Sequence, residues 1–237
     1  VMGLCAGQSV RADEFINVLT GGTSGVYYPM GVALAKIYSE KIAGTRPTVQ
    51  ATKASVENLI LLNQGKGEIA FTLGDSLAFA RDGYEEAGFK SKLTKLRGIA
   101  AIYPNYIQVV ATKESGIKTL ADLKGKKLSV ELMKNRQLDA TLQSAGLGVA
   151  AIRDLASSVD IVVVEVPASI VDKIGAPYVK AKIPANTYTG QTQDVEAAAV
   201  VNYLVTRSDL ADDLVYNMTK SIFDNLPELA ASHSAGK

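Results

Sequence analysis

The two residue types that most metal and redox sites depend on are nearly missing. Cys5 is the single cysteine and His233 the single histidine in 237 residues. One cysteine excludes an internal disulfide. One cysteine and one histidine at opposite ends of the chain cannot assemble a zinc site, so no metal is expected. A nucleophilic triad would have to recruit His233 from the C-terminal tail, where the required geometry is seldom supplied. Tryptophan is absent and tyrosine outnumbers phenylalanine ten to five, so no aromatic stacking platform is evident. No stretch approaches the ~20 apolar residues needed to cross a bilayer. The formal net charge is +1 with no long basic run, which makes nucleic acid a poor partner.

What is present suits a globular α/β chain. Hydrophobic residues make up 47% and charged residues 21%, ordinary for a protein with a well-filled core. The length allows one large domain or two modest ones. The first dozen residues, VMGLCAGQSVRA, are small and apolar and close before Asp13-Glu14. They resemble the end of a secretory signal peptide with a small-x-Ala cleavage site after Ala12, the alternative being a disordered N-terminal arm.

Periodicity orders the elements. FINVLTGG reads as a strand ending at Gly21, and Pro29 suits the first turn of a helix. Met30, Ala33, Leu34, Ile37 and Tyr38 follow at helical spacing. RPTVQAT is a second strand, Ser55 is placed to cap the helix VENLILLNQ, Gly65 stops it, and EIAFTLGD is a third strand. Strand, helix, strand, helix, strand predicts a parallel sheet covered by helices. A charged helical stretch over 76–92 leads to LRGIAAIYPNYIQVVAT, two apolar runs broken at Pro104-Asn105. Thr119 and Asp122 form a capping pair before Gly125. GVAAIRDLASS is a helix, DIVVVEV a buried strand and VEAAAVVNYLVT another strand. Ser208 opens a helix with Leu210, Leu214, Met218 and Ile222 on one face. One junction is abrupt: KKLSV runs into the helix-like ELMKNRQL with no loop between Val130 and Glu131, where strand-to-helix links usually take about two to six residues. Either LSV is not a strand or a segment is absent.

The loop LTGGTSGVYYP carries the functional reading. A strand leading through Gly21, Gly22 and Gly25 to a helix start turns backbone N–H groups toward one point. The helix N-terminus adds about half a positive charge, which favours a carboxylate, phosphate or sulfate. Thr20, Thr23 and Ser24 add hydroxyls, and the glycines permit positive φ and close approach. The loop lacks Gly-Lys-Ser/Thr and the spacing G-x-G-x-x-G, so it is neither a P-loop nor a dinucleotide fingerprint. Val26 stands where a nucleophile elbow needs its second glycine. The competing reading is a turn that merely joins strand to helix. Asp75, at the carboxyl end of the third strand, sits where α/β sheets present ligand contacts, or is an ordinary helix cap. Tyr103, Asn105 and Tyr106 flank a crossover or a surface turn.

Together INVLTGGTSGVYYPMGVALAKIYSE, ATKASVENLILLNQGKGEIAFTLGDS, LRGIAAIYPNYIQVVAT, IKTLADLKGKKLSV, QLDATLQSAGLGVAAIRDLA and IPANTYTGQTQDVEAAAVVNYLVTRSDLADDLVY resemble the TAXI-type solute receptors of TRAP transporters. The resemblance implies a two-lobed type II periplasmic-binding-protein fold, each lobe a mixed sheet flanked by helices. It places residues 1–12 in a signal remnant, 13–105 and 199–237 in lobe 1, and 106–198 in lobe 2. It implies capture of a small carboxylate solute, glutamate-like or a dicarboxylate, and delivery to a TRAP permease by a periplasmic monomer without cofactor or catalytic activity. Gly22, Thr23, Ser24 and Tyr27 would form the first lobe's wall of the cleft, with Ser55, Asn58 and Asp75 facing it. Tyr103–Tyr106 and Ala199–Asn202 would be the crossings. After the strand matching KKLSV, family members carry a Gly/Ser-rich loop, a helix and a further strand that Val130-Glu131 omits, so an incomplete second lobe is expected. The chain also stops at Lys237, short of the family's usual C-terminal segment. The alternatives are a two-lobed α/β enzyme such as a transferase, for which no general base or nucleophile is evident, and a secreted scaffold that has lost binding.

Overall fold

The computed structural model of the chain describes residues 14–23 and 25–233. The expectations for residues 1–12, Cys5 among them, and for Ser24 lie outside the described residues. The fold is mixed α/β, and the chain forms two compact units. Unit 1 takes the described chain up to Thr72, Gly83–Ala100, and Leu204 onward; unit 2 takes Leu73–Asp82 and Ala101–Tyr203.

Unit 1 begins with β1 (Glu14–Leu19), α1 (Tyr27–Lys41), β2 (Thr45–Gln50), α2 (Ser55–Asn63) and β3 (Ile69–Leu73). β1 runs parallel to β2 from Glu14↔Thr45 to Leu19↔Gln50, and parallel to β3 at Val18↔Ile69 and Leu19↔Ala70. The parallel alternation expected from the sequence is therefore what forms here. Ile16 and Val18 share one face of β1, and Val18 lies beside Gly31 of α1; Met30, Leu34, Ile37 and Tyr38 of α1 are all buried, as the helical spacing requires. Gly31 sets how closely α1 lies on the sheet. A Cβ there would stand 2.4 Å from Thr20 Cγ2 and 3.5 Å from Val18 and Val49 methyls.

Several boundaries differ from the sequence reading. The N-cap of α2 is Ala54, at φ 65°, and Ser55 is the first helical residue without a side-chain cap. Thr52 and Glu57 take over the capping, accepting the N–H of Ala54 (2.9 Å) and of Lys53 (2.6 Å). Gly65 does end α2 at positive φ. The charged stretch 76–92 is α-helical only in α3 (Gly74–Asp82), with a single 3-10 turn at Glu85–Ala87. Gly83 stops α3 at φ 70°, where a Cβ would stand 2.8 Å from the Lys92 nitrogen.

β4 (Leu96–Thr112) passes through Pro104-Asn105 without a break. Its register with β5 begins only at Tyr106, so that ladder does not need the donor proline lacks. The remaining elements are α4 (Val130–Lys134), β5 (Ala140–Ala145), α5 (Ala150–Ser158), β6 (Ile161–Val164), α6 (Ala168–Ile174), β7 (Tyr178–Ile183), β8 (Val195–Arg207), α7 (Asp212–Asp224) and α8 (Leu226–Ala231). β5, α6 and β7 had no counterpart in the sequence reading. α7 starts four residues after Ser208, with Leu214, Met218 and Ile222 buried as expected.

In unit 2 β4 pairs antiparallel with β5 and β6, and β7 antiparallel with β8. Both faces are covered. Val110 packs with Met133, Ile152, Leu155 and Tyr188, while its neighbours Val109 and Ala111 pack with Ile117, Val164 and Val171. That alternation is the strand period of two. LSV is not a full strand: Leu128 makes one isolated parallel bridge to Ala140 before α4 begins at Val130.

Arg207 closes the end of β8 in unit 1. Its guanidinium, 15% exposed, reaches Glu68 (3.2 Å), the Gly67 carbonyl (3.0 Å) and Asp209 (2.5 Å), and Lys95 completes the group at 2.8 Å from Asp209. The hydrogen bonds from Lys95 and Arg207 hold the Asp209 carboxyl down at about 2.

Two outcomes follow from this packing. Gly31→Ala, which in an exposed helix interior stabilises by up to about 1 kcal/mol, is expected to destabilise here by about 1–2 kcal/mol through overpacking; thermal denaturation reads the sign. Asp209 is depressed in the folded state, so its stabilisation is complete above the ordinary carboxylate range and is lost as pH falls toward about 2. Acid titration of Asp209→Asn is expected to show less stability lost across that window than the parent chain.

Candidate ligand-binding site

β1 ends at Leu19, and the chain turns through Thr20–Val26 into α1. The turn is closed by the Gly25 N–H on the Gly22 carbonyl (2.9 Å). Neither Gly21 nor Gly22 has a positive φ, so their use lies in the missing side chain rather than in a left-handed backbone. Gly21 is buried between Ala54 and Tyr27, and Gly22 and Thr23 are exposed. Tyr27 stacks on Phe71 with centroids 5.0 Å apart and planes at 25°. α1 follows Val26 without a side-chain cap among the described residues, and its first turn holds no acid to offset the positive end.

The amides of Gly21, Gly22 and Thr23 have no acceptor among the described residues. For Gly22 and Thr23 water suffices. Gly21 is buried, and a buried N–H left unmatched costs about 1–3 kcal/mol. Thr20, expected to offer its hydroxyl outward, is fully buried and donates to the Gln50 carbonyl at 2.8 Å.

Asn58 is also fully buried. Its side-chain amide donates to the carbonyls of Thr20 (2.6 Å) and Phe71 (2.8 Å), with Leu19 at 3.4 Å. The Thr52 hydroxyl lies 2.6 Å from Asn58 Oδ1 and 2.9 Å from the Thr20 carbonyl, sharing its one proton between them. Asn58, expected to face the cleft, is instead tied by its side chain to Thr20 after β1, to Phe71 within β3 and to Thr52 after β2. Ser55 is buried at the start of α2 beside it. Thr52 was not anticipated; its position three residues before a helix start, six before Asn58, was the available signal. Ala54, between them, holds φ 65° and ψ −147°, a conformation that costs an L-residue about 1–3 kcal/mol.

Asp75 belongs to unit 2, at the start of α3. One oxygen accepts from the Ser76 N–H (2.6 Å) and hydroxyl (3.3 Å), the other from Tyr178 (2.8 Å). Burial, then the hydrogen bond to Asp75, pushes the Tyr178 phenol up to about 12, so it donates at neutral pH. Asn105, within unit 2, donates to Ser144 (2.6 Å), and Asn202 to the Tyr103 carbonyl (3.0 Å). A buried network missed by sequence reading joins Tyr188 to Gln108, whose amide donates to the carbonyls of Ala145 (3.1 Å) and Gly146 (3.2 Å). Unit 2 also holds an open cavity of about 390 Å³ lined by Lys113, Arg136, Asp139 and Asp160 among others; no candidate site residue lines it. Among the described residues no three His, Cys, Asp or Glu side chains group to hold a metal, and no helix is long and apolar enough to cross a membrane.

This arrangement of strand ends and helix starts has relatives. The model of the NMT1-like family matches residues 18–131 and 129–237, and the chain belongs to that family. The two matched segments meet at 129–131, the abrupt junction of the sequence. Among solved structures, a periplasmic transporter is similar over 94% of this chain and 87% of its own, at 8% identity and a TM-score of 0.59. The periplasmic binding protein BugD aligns over 94% and 86% at 10% identity and TM-score 0.55. A TRAP periplasmic solute-binding protein from Shewanella oneidensis, with bound succinate, aligns over 95% and 81% at 8% identity and TM-score 0.53. At these identities the likeness is one of fold.

Asn58→Ala should leave the Thr20 and Phe71 carbonyls without a donor and cost about 2–4 kcal/mol, measured as a drop in the urea midpoint without a change in slope.

Proposed function

We propose that this chain is an extracytoplasmic receptor for a small carboxylate solute, of the TAXI type, that hands its ligand to a TRAP permease. The observation that carries the reading is the Gly21 N–H of a buried residue without an acceptor among the described residues, followed by the amides of Gly22 and Thr23, likewise without one among them, ahead of α1. An anion matches such a group of donors with little reorganisation. A carboxylate is favoured over phosphate because the resemblance is to carboxylate receptors and because the succinate-bound Shewanella protein shares the fold.

Gly22, Thr23, Ser24 and Tyr27 are assigned to hold the carboxylate, with Ser55 beside them. Asn58 is kept in the site as a support. Asp75, fixed by Tyr178 within unit 2, is assigned a ligand contact of its own. The lobes are assigned to 13–105 with 199–237, and to 106–198. Export by a signal peptide ending at Ala12, a monomeric state and the absence of a catalytic step belong to the same reading.

Thermal shift and calorimetry with a panel of amino acids and dicarboxylates test it. A true ligand at 100 times its dissociation constant should add about 2.7 kcal/mol of stability without turnover. Thr23→Val combined with Ser24→Ala should abolish that gain while the fold survives. Turnover of a panel member would favour a transferase-like enzyme, and no response to any member would remove the carboxylate reading.

A further inference from the structure

The Thr20–Gly21 peptide is where the proposed site meets the interior. Its carbonyl receives the Asn58 side-chain amide at 2.6 Å and lies 2.9 Å from the Thr52 hydroxyl. The peptide is trans and planar, so its C=O and N–H point in opposite directions. Fixing the carbonyl inward therefore fixes the Gly21 N–H in the reverse sense, away from both side chains, and that N–H has no acceptor among the described residues. The two clamping groups are themselves locked. Asn58 is 0% exposed and also holds the Phe71 carbonyl, and Thr52 accepts the Ala54 N–H at 2.9 Å.

We infer that Thr52 and Asn58 are positioning residues that aim the Gly21 amide at the bound anion through the Thr20 carbonyl. The inference rests on the reading of the loop between β1 and α1 as the carboxylate site. It gives Asn58 a role in affinity without contact, and it adds Thr52, which touches no assigned ligand position. An amide aimed before binding need not be ordered during it, which is how preorganisation raises affinity.

Thr52→Val removes the hydroxyl at nearly constant shape, and Thr52→Ser keeps it. In ¹⁵N-labelled protein without ligand, Thr52→Val should move the Gly21 amide resonance, and Thr52→Ser should leave it near its original place. With succinate and L-glutamate as probes, Thr52→Val should weaken whichever binds by at least tenfold, and Thr52→Ser by less than threefold. A hydroxyl that merely stabilised the fold would lower the melting temperature without this split between the two variants. An unmoved Gly21 resonance in Thr52→Val overturns the inference, as does a moved resonance with unchanged affinity. If the parent chain binds neither probe while the resonance moves as described, the aiming of the amide stands and the carboxylate reading falls instead.

Discussion

One buried side-chain amide holds the crest of unit 1 together. Asn58 donates to the carbonyls of Thr20, just past β1, and of Phe71, within β3, and accepts from the threonine that follows β2. An asparagine at the fourth position of α2 can join β1, β3 and the segment after β2 because it carries two donors and an acceptor in one plane. With it in place, the amides of Gly21, Gly22 and Thr23 stay open among the described residues, while the Gly25 N–H closes the turn on the Gly22 carbonyl. The exposed part of the loop can be polar and small because its rigidity is supplied from beneath.

The same division separates what could be read from the amino-acid sequence from what could not. The parallel core of unit 1 was legible because its signals are local: an apolar run into glycines, Met30 to Tyr38 at helical spacing, and Gly65 after α2. The loop itself was legible as a candidate site by composition. The role of Asn58 was not, because a residue three places into a helix looks the same whether it faces a crevice or the ends of distant strands. Thr20 was misjudged for a related reason: a hydroxyl beside a loop can turn inward, and pairing with Gln50, thirty residues away, decided it. In unit 2, β5 and β7 were missed because ATLQSA and YVKAKI carry polar or charged residues that mask a strand pattern, and their existence depends on antiparallel partners far along the chain. Pro104 misled in the other direction, since a proline ahead of the first β5 register pair interrupts nothing.

The abrupt joint at Val130-Glu131 is accommodated at small cost to regularity. A strand reduced to the single bridge of Leu128 leads straight into a five-residue helix, and Leu128, Leu132 and Leu142 remain 39–45% exposed around it. Elsewhere in unit 2 the faces of the sheet are well covered. The hydrogen bonds that hold Asp75 and Tyr188 are in place.

The way the units are threaded has a consequence for synthesis. All of unit 2 is present once translation has passed Tyr203, whereas unit 1 waits for Leu204 onward, including Arg207, which closes on Glu68 across nearly 140 positions. The N-terminal third of the chain emerges first yet finishes last. Until then β1, β2 and β3 form a half-built layer, and the unit that begins later in the sequence is the first whose residues are all present.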